Sequence, residues 1–497
     1  MTIRPFSTFA PDQLANEGVL VGGKNSYPRA DGAFGPVQAF SAIYTALSER
    51  VQGAFYSIDS AGNTALWAGT ATKLYKLSSG TSFSDVSKGG GYTCGATENW
   101  EFEQVGQRVI AWQITDPIQS YVIGSSALFA DLSATAPKAR HGGMVANFLF
   151  LGNTNDGTFG LQPDGCWWSA IGDVTNWPTV GTSAAAAVQS GRTNISGTGG
   201  WIQKIVPRVG SLDAIILQER QVSRCIYVGS PSVFDILPME GARGTPSPNS
   251  VAVLGGVMYY LGEDGFYANN GTESAPIGVA QVDGFFYDDV NTSQLHRVCA
   301  VVDPVNKLYV VGYPSQASSG SINRLLFYNI MTRRWAPPQE VSLDWLTKLG
   351  SVGYTLEDLD AFGNIDTLPA SLDSRVWTGD GKPILAAFNS SHAAGTFAGT
   401  TEEAIFETGD SEEQDSSRTI SYSVRPIVQG SAATVTCSYG SRPHRNTPVV
   451  YGEYAALNRE YTRPFRVNAR HVRTLTKIAA GGNWTHAFGV DVEQLRI

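Results

Sequence analysis

Metal or acid–base chemistry would draw first on the six histidines, His141, His296, His392, His444, His471 and His486. None belongs to an H-E-x-x-H motif, and no two lie four residues apart, the spacing that puts two imidazoles on one helix face. They read as turn or surface residues. No G-x-S-x-G elbow presents a serine nucleophile. The acidic doublets Glu263-Asp264 and Asp288-Asp289 fall in turn-like stretches. Neighbouring residues of an extended chain point to opposite faces, so such doublets do not form an acid/base pair. Gly18-Val19-Leu20-Val21-Gly22-Gly23-Lys24-Asn25 has the spacing of a phosphate-binding loop. Asn25 stands where magnesium needs Ser or Thr, and Pro28 opposes the helix that should follow. These patterns predict no catalytic residue, no cofactor and no metal ligand, hence a chain that is not an enzyme.

Arginine interleaved with aromatics is the stronger signal. Arg442, Arg445, Arg459, Arg463, Arg466, Arg470 and Arg473 alternate with Tyr451, Tyr454, Tyr461, Phe465 and Trp484. This mixture suits a protein interface core or a nucleic-acid surface. Protein contact is favoured, because arginine outnumbers lysine and pairs carboxylates bidentately. From Arg418 to Ile497 there are eleven Lys and Arg against four Asp and Glu, a net of +7. That leaves −16 on the rest of a chain whose total is −9. Just before the basic segment, Glu402 to Asp415 holds seven acids and no base. The basic face of one subunit meeting the acidic face of the next would close a ring of identical copies. The seven arginines are therefore the predicted interface.

The elements that must carry these residues are strands. Short apolar runs end at Gly, Asp, Asn or Pro throughout, and a strand–glycine–turn–strand unit recurs. Leu66–Gly69 answers to Leu74–Leu77, Phe148–Gly152 to Cys166–Ser169, Ile226–Gly229 to Val233–Ile236, Met258–Gly262 to Gly265–Tyr267, and Leu308–Gly312 to Leu325–Tyr328. Val109–Trp112 and Arg375–Gly379 look like further members. Small sheets with two apolar faces are stable only when stacked, and radial stacking makes a β-propeller. Six blades with irregular insertions are favoured over tandem sandwiches. Ser57 to Trp67 resembles a stretched Asp-box turn of sialidase-like propellers, a hairpin element that argues for fold and not for catalysis. Helical periodicity is weak, at Gln13–Gly18, Pro36–Ser48 and Leu343–Leu349. The predicted domains are an N-terminal arm over 1–40, the propeller over 41–400, an acidic linker or loop over 401–417 and an Arg-rich, sandwich-like β domain over 418–497.

Composition sets outer limits. The 497 residues are 42% hydrophobic and 16% charged, enough for a large core and too apolar for a disordered chain. No stretch is long enough to span a bilayer as a helix, and MTIRPFSTFAPD has no secretory pattern. Cys94, Cys166, Cys225, Cys299 and Cys437 show no C-x-x-C spacing and read as reduced, buried thiols.

Several phrases then carry a family likeness. They are Phe148 to Thr154, Trp168 to Trp177, Tyr227 to Phe234, Tyr260 to Tyr267 and Asn483 to Glu493. Over residues 55 to 497 the chain resembles the tail hub, or nozzle, proteins of short-tailed bacteriophages, also described as DNA-stabilisation proteins. The resemblance implies a virion protein assembled in the bacterial cytoplasm. It implies a hexameric ring below the portal and adaptor, in contact with tail fibres or spikes. Double-stranded DNA would pass through without sequence-specific binding, and the genome would be retained until ejection. It carries over no catalytic residue. The alternative is a carbohydrate-binding or glycoside-cleaving propeller of the tailspike or adhesin type, marked by a concave site of aromatics with converging Arg and Glu.

Overall fold

The computed structural model describes residues 2–13, 18–78, 80–350, 383–410, 419–430 and 434–496, with six single positions between 359 and 377. It is an all-β molecule: a β-propeller with a β-sandwich packed on its flank. Five successive antiparallel meanders of four strands form the first five blades. Blade one holds Gly53–Ile58, Thr64–Gly69, Leu74–Leu77 and Ser84–Asp85. Blades two to five begin at the inner strands Glu101–Val105, Lys138–Val145, Ile202–Pro207 and Ala252–Leu254. All five sequence-derived strand pairs are hydrogen-bonded neighbours here.

The last sheet has seven strands because one strand serves two blades. Arg334–Gly350 is 17 residues long. Its first half is the outer strand of blade six, pairing with Ile322–Asn329. After a register shift at Leu343, its second half pairs with Pro383–Asn389. There it has become the inner strand of a seventh blade. The Leu346 N–H meets Cys299 Sγ of blade six at 3.4 Å, and Gly350 lies against the Tyr56 ring of blade one. Ala393–Thr396 and then Ser41–Ala46 complete this blade, so an early strand closes the ring. Seven blades surround the axis, one more than the six favoured from sequence.

Aromatic side chains hold the blades together. Trp67 of blade one meets Tyr121 and Phe129 of blade two edge-on, and Phe150 and Trp168 of blade three pack against Phe234 of blade four. Each such ring contributes about 2–3 kcal/mol by burial. An inner strand leaves one backbone edge without a partner strand, and those groups need other partners. Side chains of blade two supply them. The Gln104 amide bridges both the N–H and C=O of Ile58, while Glu101 and Glu103 accept the N–H groups of Gly142 and Met144.

The sandwich corrects the predicted domain edges. Residues 1–40 do not make a free arm. Thr2–Pro5, Ser26–Pro28 and Phe34–Pro36 join the sheet of Thr419–Gly430, Arg463–Ala469 and Trp484–Arg496. Leu20–Lys24 joins the other sheet, beside Ala404–Thr408, His471–Ile478 and Val435–Arg442. Phe6 and Phe34 bury their rings against Phe406, which fixes the N-terminal strands in the core. The segment with phosphate-loop spacing is thus an ordinary strand. Ala404–Thr408, expected within an acidic linker, is an inner strand of its sheet, with Ala404 and Phe406 pointing inward. Residues 411–418 lie outside the described residues.

The helical readings also give way. Pro36–Ser48 supplies strand residues, and Leu343–Leu349 lies within the long shared strand. Of Gln13–Gly18 and Arg375–Gly379, most residues lie outside those described. Two short helices, Ser183–Ala187 and Asp283–Asp289, sit in inter-strand connections. Among the described residues, no helix is long and apolar enough to cross a membrane.

Candidate functional site at the axial mouth

All seven inner strands run the same way, so their first residues meet at one end of the propeller axis. The residues delivered there are Arg50 before blade one, Glu98 and Asn99 before blade two, and Arg140 in blade three. Trp201 stands before blade four, His296 and Arg297 before blade six, and Asp344 opens blade seven. Gln52 shapes this rim: its amide donates to the carbonyls of Gly95 and Glu98 and fixes the loop before blade two.

Arg140 grips the Glu98 carboxylate with Nε and Nη2, at 2.9 and 2.7 Å. The Arg140 guanidinium also faces the Trp201 ring at 5.8 Å, and that ring is 49% exposed. Arg50 donates to the Ala96 carbonyl at 2.8 Å. Burial and the charge of Arg297 push the Arg50 guanidinium down to about 10. Burial lowers Arg297 too, and its Nε has no hydrogen-bond partner among the described residues. His296 is held below its ordinary range by burial and then by Arg297 and Arg50, so it adds no charge at neutral pH. Asp344 is 5% exposed and bonds His392; burial raises its carboxyl above the usual range. Three guanidiniums thus face two carboxylates, a local excess of positive charge on a chain of net charge −9. The charge of Arg297 acts against that of Arg50, and Asp344 is the acid that favours both guanidiniums. Guanidiniums in such surroundings suit a carboxylate or another anionic group.

Just below lies a buried ion cluster. Glu101 Oε1 meets Lys204 Nζ at 2.6 Å and His141 Nδ1 at 2.9 Å. Burial opposes its charge, but Lys204 and His141 hold the carboxyl at about 2. Burial keeps the His141 imidazole below its ordinary range.

The seven arginines of the predicted interface do not act as one surface. Arg442 and Arg473 converge on the fully buried Asp410, and Arg473 also bonds Glu407 at 2.9 Å. Lys477 meets Glu403 at 2.8 Å. Glu403, Glu407 and Asp410 thus pair with Lys477, Arg473 and Arg442 inside one chain, because both segments supply strands to one sheet. Arg463 and Arg470 are half-buried, while Arg445, Arg459 and Arg466 are exposed. All five cysteines are buried, and burial raises each thiol. The turn from Asp59 to Asn63 is a tight hairpin whose Asp59 carboxylate accepts from Ala61, Asn63 and the Asn63 amide. The residues of the mouth were not singled out by sequence, since they share no motif.

No family model matches the chain, and no curated protein matches it. Among solved structures, the chain is similar to an exo-β-1,3-galactanase from Phanerochaete chrysosporium, at 9% identity and a TM-score of 0.27, covering 82% of this chain and 98% of that one. It is similar to the WD40 β-propeller domain of Doa1, at 9% identity and a TM-score of 0.38, covering 72% and 96%. An α-L-arabinanase from Penicillium chrysogenum gives 10% identity and a TM-score of 0.28, covering 73% and 97%. The expectation that the chain is not an enzyme does not stand. The mouth gathers carboxylates, arginines and an exposed indole that no linear motif announced.

Proposed function

We propose that the chain is a carbohydrate-recognising β-propeller of the adhesin or spike type, taking an acidic sugar unit at the axial mouth. The observation that carries this reading is the Arg50–Arg297 pair. Both guanidiniums are half-buried at the rim, the Arg297 Nε has no hydrogen-bond partner among the described residues, and Arg140 stands with the exposed Trp201 ring beside them. A sugar carboxylate would accept from the guanidiniums while the pyranose face lies on the indole. Glu98 and Asp344 stand at the same rim for proton transfer if the bound sugar is cleaved.

The test is calorimetric titration with 3′-sialyllactose and trigalacturonate against neutral lactose, on the native chain and on Arg297→Ala. Saturable binding of an acidic sugar, weakened at least about tenfold in the variant, supports the reading. Equal binding of lactose, or no effect of the variant, removes it. Reducing-sugar release, compared in the native chain and in Glu98→Gln, asks whether recognition leads to hydrolysis.

A second reading is a ring-forming tail protein of a short-tailed bacteriophage, as the sequence resemblance implies. The observation in its favour is the outer edge of the sandwich. Arg445, Arg459 and Arg466 are exposed there with Val450, Tyr451 and Tyr461, which are 68%, 50% and 67% exposed. Basic and aromatic residues together suit a subunit contact. Native mass spectrometry tests it: a hexamer that falls to monomer in Arg459→Glu/Arg466→Glu supports a ring, and a monomer at all concentrations removes it.

A further inference from the structure

A groove of about 750 Å³ runs along the flank between blades two and three. It stands apart from the axial mouth. The Asp156–Gly160 hairpin end of blade three, the 133–138 connection and the 177–180 segment enclose it. Phe159 and Trp167 provide aromatic surface, their rings 6.1 Å apart and nearly perpendicular. Phe159 is 40% exposed at the hairpin tip.

Two polar atoms in this lining lack partners among the described residues. Trp167 is 7% exposed, yet its indole N–H donates to nothing. Asp156 accepts the N–H groups of Thr158 and Phe159 with Oδ1 and leaves Oδ2 unused. One orphaned donor and one orphaned acceptor beside an exposed ring match a ligand that offers hydroxyl groups and an apolar face. The charge is wrong for an acid. The cations around the groove are engaged: Lys138 binds the Thr115 carbonyl at 2.5 Å, Lys88 pairs with Asp131 at 2.9 Å, and Arg192 bonds Asn194 while packing on the Phe159 ring at 3.9 Å, whereas the second oxygen of Asp156 is unpaired among the described residues.

We infer that this groove is a second glycan site, specific for a neutral oligosaccharide. Its size accommodates several sugar units, within the range of small-molecule sites. Phe159, which carries the Arg192 guanidinium on one face, offers its other face to a pyranose, the Trp167 N–H donates to a hydroxyl, and Asp156 Oδ2 accepts from another. No bond is made or broken.

The experiment is calorimetric titration of the full chain with maltohexaose, cellohexaose and laminarihexaose, each run separately, in the native chain, Phe159→Ala, Trp167→Phe and Arg297→Ala. One neutral hexaose binds saturably to the native chain. Binding weakens about tenfold in Phe159→Ala, which loses the stacking ring, and about fivefold in Trp167→Phe, which keeps an aromatic ring but loses the donor. Arg297→Ala binds it normally, which separates this site from the mouth. Trp167→Phe alone carries the test if Phe159→Ala does not fold. The inference is overturned if no neutral hexaose binds, if Trp167→Phe binds as tightly as the native chain, or if Arg297→Ala abolishes binding.

Discussion

Glu101 and Lys204 touch at 2.6 Å although a whole blade separates their strands. Glu101 opens blade two and Lys204 lies in the inner strand of blade four, so the contact bridges across blade three. Glu101 also accepts the free-edge N–H of Gly142 in the blade between. One carboxylate thus ties three blades together at the axis. Removing its charge leaves Lys204 without its anion and the Gly142 edge poorly satisfied. Glu101→Gln should cost about 3 kcal/mol of stability, measured by denaturant unfolding. A loss under about 1 kcal/mol would show that the bridge is incidental.

The same cluster sets an acid limit. Glu101 is held at about 2, below the 4.5 of an unperturbed glutamate. Its contribution is complete above the unfolded value and fades as pH falls from there toward 2. His141 acts in the same direction, because an imidazole kept neutral by burial resists the proton that the unfolded chain takes up. Thermal midpoints should fall as the solution is acidified below the histidine range. Glu101→Gln should flatten the lower part of that curve, and an unchanged curve in the variant would argue against this assignment.

Asp410 plays the matching part in the sandwich. It is fully buried, and Arg442 and Arg473 both close on it. Asp410→Asn leaves two guanidiniums facing each other with Glu407 as the remaining acid, at a cost of about 3 kcal/mol. A variant carrying Asp410→Leu, Arg442→Met and Arg473→Leu should recover much of that loss, since apolar replacement of a whole buried ion group is often neutral. Circular dichroism melts of the three proteins check this ordering.

The blades were legible because their signal is local. Phe148–Gly152 and Cys166–Ser169 are short continuous apolar runs with turn glycines, within 22 residues of each other, and they pair as expected. The closures were not legible. Ser41–Ala46 pairs with Ala393–Thr396 across the whole propeller, and Thr2–Pro5 pairs with Val492 and its neighbours at the other end of the chain. Nothing in a short window marks such partners. The mouth was hidden for a related reason. Arg50, Glu98, Trp201 and Arg297 each stand one to three residues ahead of an inner strand, but they differ in type. Only superposing the meanders reveals the common position.

The N-terminal strands supply a test of that long-range closure. Deleting residues 2–36 removes four sandwich strands and the Phe6 and Phe34 rings, while keeping Ser41–Ala46 for blade seven. The truncated chain should lose the sandwich and expose apolar surface, detected by dye binding and by protease cleavage after residue 400. A free arm would come off with no change in either readout.

Asp283 gives the opposite pH response to Glu101. It opens the Asp283–Asp289 helix beside blade five, where Oδ1 accepts the Phe266 N–H at 3.1 Å and Oδ2 has no partner among the described residues. Gly265 and Gly278 pack so closely that a Cβ at either would collide with this carboxylate, which keeps water out. Burial first, then the nearby Asp12 and Asp264, raises the carboxyl to about 6 from an ordinary 3.8. A raised carboxyl favours the protonated folded state. Its contribution is therefore full below the unfolded value and is lost as pH climbs toward 6. Above that, an ionised group with one bonded oxygen is carried at a cost of about 1–2 kcal/mol, after allowance for partial screening. Asp283→Asn keeps the Oδ1 acceptor and removes the charge. The variant should match the native chain at about pH 4 and exceed its unfolding free energy by about 1–2 kcal/mol at about pH 8. An equal gap at both pH values would mean that shape, and not ionisation, sets the energy of this carboxyl.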